Sequence, residues 1–226
     1  MRPKLCNTAY IDDATVQRSA VEEFGLAYLG RYENVDHQAF LCSRGERTIL
    51  AVSGTRFSDG NVCELLDDED VLPVDLSNGA HVMQGFYAGL SGLFSWALSA
   101  APRGHLFDIT GHSLGGARAH LAPLFVPAGS FNRLYSFAAP KAANAVYWKA
   151  FAAPLTRVVN ERDLWVGWPF IGEWCQPETM LWLHDRIVEQ STESKWPGGL
   201  RASDHSIDGG YIPALTALAA QKPIAA

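Results

Sequence analysis

FDITGHSLGGARAH, residues 107–120, runs from an apolar stretch into a serine flanked by glycines and then a row of small residues. A strand over Leu106–Thr110, a sharp turn at Ser113 and a helix over Leu114–Ala122 would put the hydroxyl at the C-terminal edge of a sheet. Gly111 and Gly115 suit such a turn because neither adds a side chain where the chain doubles back. The Leu114 amide, one of the N–H groups that a helix start leaves unpaired, then points into the same space. G-x-S-x-G alone is a weak signal. The flanking strand and helix separate a nucleophile from an ordinary glycine-rich turn.

Working outward, short β-type runs alternate with helical ones. AFLCS and TILAVSG, separated by SRGER with its Gly45, read as adjacent strands. Asp12 and Asp13 precede Val16, Ala20, Phe24 and Tyr28, whose four-residue spacing predicts an amphipathic helix. Gln84–Leu98 also has helical spacing, and Gly85, Gly89 and Gly92 form a small-residue row expected to admit another backbone closely. Strands are expected at HLFDITG, RLYSFAAP, TRVVN and LWLHDRIV, with helices at SLGGARAHLA and NAVYWKAF. The alternation predicts an α/β fold with a mostly parallel central sheet and helices on both faces. With 226 residues and no linker-like stretch, residues 1–226 are expected to form a single domain.

A serine nucleophile needs a base and an orienting acid downstream of it in this architecture. Of seven histidines only His184 and His205 follow the serine helix. His184 lies inside LWLHDRIV and reads as structural. His205 sits in ASDHSIDGGY, a polar glycine-containing loop of the kind that displays catalytic groups. Asp163, just after TRVVNER at a strand end, is the candidate acid, the alternative being a simple turn former. Asp204 is too near His205 in sequence to reach its Nδ1 comfortably, and Asp208 reads as a cap for the final helix.

The whole charge imbalance resides in one segment. The chain carries −6 net; residues 56–80 hold seven acids and one base, and the remainder holds 17 of each sign. That balance argues against nucleic acid as a partner. No window approaches the roughly 20 apolar residues needed to cross a bilayer. The first residues lack the apolar run of a secretory signal, so a cytoplasmic enzyme, or one released unconventionally, is expected. Cys6, Cys42, Cys63 and Cys175 are scattered without zinc-like spacing and read as idle thiols.

Together these segments resemble the class 3 lipases, the fungal triacylglycerol lipase type within the α/β-hydrolase fold. GHSLGG at 111–116 is similar to that family's nucleophile elbow, VVNERD at 158–163 to its acid segment, and HSIDGGYIPAL at 205–215 to its terminal histidine segment. AVSGT at 51–55 resembles the strand that ends in the oxyanion hole, and MQGFYAG at 83–89 the helix start beyond it. The resemblance implies a serine hydrolase of neutral lipid or related acyl esters. Its triad would be Ser113, His205 and Asp163, with Thr55 and Leu114 as oxyanion donors, and it would need no metal or cofactor. Phospholipase A1 or acyltransferase chemistry is the alternative, and a non-catalytic hydrolase-like binding scaffold is a third reading.

Two positions depart from the pattern: Ser53 stands where the family usually has arginine, and Met83 replaces a histidine. The resemblance also implies a lid over 56–80, where Val62, Leu65 and Leu66 oppose Glu64, Asp67 and Asp68, although a solvated loop fits the same residues. LWVGWPFIGEW, 164–174, is either core or an acyl-binding wall.

Overall fold

The computed structural model describes residues 1–54, 71–185 and 187–220. Its main sheet has eight strands: β1 (Ala27–Glu33), β2 (Gln38–Arg44), β3 (Arg47–Val52), β4 (Leu106–His112), β5 (Phe131–Phe137), β6 (Leu155–Asn160), β7 (Thr179–His184) and β8 (Ile187–Thr192). They lie side by side in sequence order. β1 to β3 are antiparallel, β3 through β7 are parallel, and β8 returns antiparallel to β7.

Stepping one place at a time in one direction has a consequence for the helices, because right-handed crossovers between such strands all fall on one face. α3 (Leu90–Ala100), α4 (Leu114–His120) and α5 (Ala145–Ala150) supply that layer. There Leu93, Phe94, Ala117 and Tyr147 pack with Leu41, Leu50, Val52, Ile109 and Leu134. The opposite face is covered by the ends of the chain. α1 (Arg2–Thr8) and α2 (Ala14–Glu23) bury Leu5 and Val21 against Phe40, Cys42, Ile49 and Ala51, while α6 (Ile212–Ala220) packs beside Phe137, Val158 and Leu183. Strand alternation divides the residues of β2 and β3 cleanly between the two layers.

Several sequence expectations are corrected. The helix beginning after Asp13, whose side chain accepts from the Thr15 and Val16 amides, ends at Glu23 and not beyond Phe24. Gly25 turns the chain at φ +70 and Tyr28 belongs to β1. Val16 is exposed, and the buried position beside it is Gln17, whose amide donates to the Thr8 and Ile11 carbonyls. A polar side chain with local carbonyl partners thus took the inner face. Gln84–Leu98 is not one helix: a single turn over Gln84–Tyr87 is cut at Gly89, φ +73, before α3 begins. Gly89 and Gly92 receive side chains rather than a backbone, because a Cβ at Gly89 would stand 2.6 Å from His37 Nε2 and one at Gly92 2.8 Å from the Tyr32 hydroxyl. LWLHDRIV is two strands of a hairpin, β7 and β8, with Asp185 at φ +48 in the turn. His184 there is structural as expected, stacked on Trp182 at 3.8 Å.

A small antiparallel sheet joins Trp174–Cys175, Ala143–Asn144, His81–Met83 and Pro73–Asp75 in that order. The candidate lid, 56–80, lies outside the described residues up to position 70. Its remainder enters this small sheet. Asn144 is the hub: its side chain accepts from the His81 and Tyr147 amides and donates to the Gly79 carbonyl and to Glu173. Among the described residues no helix is long and apolar enough to cross a membrane.

Candidate active site

β4 runs into Ser113, which holds φ +57 and ψ −130, a conformation that costs a non-glycine residue on the order of 1–3 kcal/mol. The surroundings over-determine it. The Ser113 amide donates to the Phe137 carbonyl at 2.9 Å, and the Ser113 carbonyl accepts from the Gly116 and Ala117 amides at 2.8 and 3.1 Å. Both glycines of the motif are required by backbone contact. A Cβ at Gly111 would overlap the Gly115 carbonyl, and one at Gly115 would overlap the Val52 carbonyl and stand 2.7 Å from the Ser53 carbonyl carbon. The elbow is therefore pressed against the end of β3.

The three sequence-selected side chains converge. Ser113 Oγ lies 2.8 Å from His205 Nε2, and His205 Nδ1 lies 3.0 Å from both carboxylate oxygens of Asp163. All three are buried, Asp163 completely. A carboxylate only accepts, so Nδ1 carries the proton of the neutral ring and Nε2 accepts from the serine hydroxyl. Asp163 receives two further bonds, from the Trp165 amide to Oδ1 at 3.0 Å and from the Tyr211 hydroxyl to Oδ2 at 2.8 Å. No metal-binding group of histidines, cysteines and acids occurs among the described residues.

Loop-to-loop bonds bring His205 to Asp163 across 42 positions of chain. The Asn160 side-chain amide donates to the Asp204 carbonyl at 2.9 Å, the Arg162 amide to Asp204 Oδ2 at 3.1 Å, and the Leu164 amide to the Arg201 carbonyl at 3.2 Å. Asp204, set aside as a triad acid, thus fastens the two catalytic loops together. Ser206, and not Asp208, takes the capping place, its hydroxyl accepting from the Gly209 amide. Tyr211 completes the site, and no signal at its own position singles it out. Its sequence signal is only a tyrosine six places after the histidine. Its phenol is fully buried, and burial first, then the Asp163 charge, hold its pKa well above the usual value, so it remains a donor.

Leu114 opens α4, where its N–H has no carbonyl four residues back to bond within the helix. Thr55, the other expected oxyanion donor, lies outside the described residues. The strand leading to it is buried through Gly54. The aromatic segment 164–174 divides. Trp165, Trp168 and Trp174 are core, whereas Phe170 and Ile171 are 63% and 78% exposed. Trp165 also stands edge-on to the His205 ring at 6.3 Å between centroids, so one core residue forms a wall of the site.

The class 3 lipase family model matches residues 49–172, a range that includes Ser113 and Asp163 and stops before His205. Solved structures share the fold. One is a triacylglycerol lipase described as having a serine protease triad as its catalytic centre, with 19% identity, 90% of this chain and 90% of that chain covered, and a TM-score of 0.70. A lipase from Rhizopus microsporus var. chinensis shows 17% identity over 90% of this chain and 82% of that chain, TM-score 0.67. Lipase II from Rhizopus niveus shows 18% identity over 90% and 89%, TM-score 0.65. No curated protein sequence matches the chain. With over half its length matched by the family model, this chain belongs to the class 3 lipases and is a serine hydrolase of carboxylic esters.

Proposed function

We propose that the chain hydrolyses esters of neutral lipids or related acyl esters through Ser113, His205 and Asp163. The observation that carries this reading is the continuous chain of bonds from the Ser113 hydroxyl through both nitrogens of His205 to buried Asp163. His205 Nε2 takes the hydroxyl proton as Ser113 Oγ bonds to the ester carbonyl carbon, and Asp163 stabilises the imidazolium that forms. The Leu114 amide, with Thr55, donates to the carbonyl oxygen as it becomes an anion, each such donor contributing about 3 kcal/mol to lowering the barrier. The imidazolium returns the proton to the departing alcohol. Water, deprotonated by the same nitrogen, then releases the acid from the acyl-enzyme.

The substrate class follows from charge. Six of the seven acids of 56–80 fall between Asp59 and Asp70, the stretch that follows the oxyanion strand in sequence. A run this acidic, joined in sequence to the oxyanion strand, supports a preference against anionic lipids, because like charges repel over distances near a Debye length. Neutral esters are therefore the better substrates.

A panel of soluble and emulsified esters, triglyceride and diacyl phospholipid included, tests this with wild type and Ser113→Ala. Hydrolysis of neutral esters and covalent labelling by a fluorophosphonate are expected in wild type. Both should fall by about 10⁴-fold or more in the variant. A folded wild type that takes no label would instead mark a binding scaffold, and a preference for phospholipid would mark a phospholipase.

A further inference from the structure

The N-terminal helix is laid along the strand that carries the nucleophile in a definite register. Arg2 pairs with buried Asp108, Cys6 Sγ lies 3.1 Å from Thr110 Oγ1, and the Tyr10 hydroxyl lies 3.1 Å from His112 Nδ1. Steps of four along the helix and the turn that follows it thus meet steps of two along β4. The match is geometric: four helical residues rise about 6 Å and two strand residues about 6.6 Å.

The last rung reaches the catalytic loops. His112 Nε2 lies 2.8 Å from the carbonyl oxygen of His205, and the two rings stand 4.9 Å apart. A carbonyl only accepts, so Nε2 bears the proton and donates. The neutral ring then offers Nδ1 as an acceptor to the Tyr10 hydroxyl. Burial, with the neighbouring His205 charge second, holds the His112 pKa well below its usual value, which preserves this tautomeric arrangement. The same Tyr10 hydroxyl lies against Gly54 at the end of the oxyanion strand, where any Cβ would overlap it and would stand 2.8 Å from the His112 carbonyl. One hydroxyl therefore touches the oxyanion strand and the elbow, and acts through His112 on the histidine loop.

We propose that Tyr10 and His112 are positioning residues for the ester hydrolysis: the N-terminal segment, registered on β4, fixes the backbone of His205 so that Nε2 stays aligned on Ser113. Neither side chain exchanges a proton with substrate. Their effect is on the alignment of the base, where a displacement of about 1 Å costs on the order of 100-fold in rate. The inference rests on the triad reading above.

Tyr10→Phe, His112→Gln and His112→Leu separate the elements. Gln keeps an amide donor for the His205 carbonyl and lacks the Nδ1 acceptor, whereas Leu has neither. Rates are measured per active site, titrated with a fluorophosphonate, on a soluble short-chain ester. The expectation is kcat lowered about 10-fold in Tyr10→Phe with KM unchanged, about 100-fold in His112→Leu, and about 10-fold in His112→Gln, which keeps the bond to His205 and loses the one to Tyr10. The double variant Tyr10→Phe/His112→Gln should lose about as much as either single variant, because both remove the same bond, whereas losses that multiply to about 100-fold would overturn the coupling of the two residues. Thermal midpoints are recorded alongside, since a purely structural role would lower the midpoint and leave the rate per titrated site at the wild-type value. Tyr10→Phe and His112→Gln that both titrate and turn over like wild type would overturn the proposal. If His112→Leu does not fold, those two variants still decide. A wild type that takes no label would instead refute the triad reading.

Discussion

Tyr211 donates its hydroxyl to Asp163 Oδ2 at 2.8 Å and accepts the Asn160 amide at 3.1 Å, joining the end of β6 to the carboxylate that orients the catalytic imidazole. Tyr211→Phe removes a donor from a buried carboxylate and strands a buried backbone N–H. A loss of about 1–3 kcal/mol in stability is expected from urea unfolding, together with roughly a tenfold lower kcat. Unchanged unfolding and turnover would show that the carboxylate is held adequately by His205 and the Trp165 amide alone.

The elbow glycines have no room to give. Gly111→Ala would drive a methyl into the Gly115 carbonyl, backbone against backbone. The variant should lose about 3 kcal/mol or more, or fail to accumulate folded. Gly129, with nothing within 4 Å of an added Cβ, is the matched control and should tolerate alanine. Circular dichroism melts of the two variants make the comparison.

Three buried histidines tie stability to pH. Burial lowers His37 to about 4 and His120 to about 3, and holds His112 well below its usual value. Each is neutral when folded and takes up a proton when unfolded below about pH 6.5. Their contribution is present above that value and is lost as pH falls towards the folded values. Each adds a slope of about 1.4 kcal/mol per pH unit once the pH is well inside that window. Urea midpoints should drop steeply from pH 6 to 5, and His120→Gln should flatten the dependence. An equal slope in that variant would remove His120 from the account.

Arg157 is buried on β6, with Nη1 2.8 Å from Glu193 Oε2 and 3.3 Å from the Pro177 carbonyl. Glu193→Gln leaves a buried guanidinium uncompensated and should destabilise by about 3 kcal/mol or more, whereas replacing both members by apolar residues should cost much less. Unfolding of the single and double variants distinguishes these outcomes.

Burial raises the thiols of Cys6 and Cys42 to about 12. In the native protein at pH 8 both should resist a thiol reagent and react only on unfolding, as mass mapping of the modified peptides would show. Rapid modification of either in the folded state would contradict their burial.

Much of this architecture is already written in the order of the amino acids. The alternation of short apolar runs placed the parallel strands, and Gly111 and Gly115 around Ser113 described an elbow, because close backbone contact leaves no room for another residue type. Chain order then pointed to Asp163 and His205. Local pattern misled where a partner from elsewhere in the chain made the choice. Gln17 took the inner face of α2 because the Thr8 and Ile11 carbonyls were there to receive it. The glycine row at 89 and 92 turned out to admit His37 and Tyr32. What only the tertiary structure decided was the support around the triad: Tyr211 beneath Asp163, Asp204 between the loops, and Tyr10 and His112 behind His205. These are contacts between segments far apart in sequence. They depend on strand order and helix register, which no local periodicity encodes.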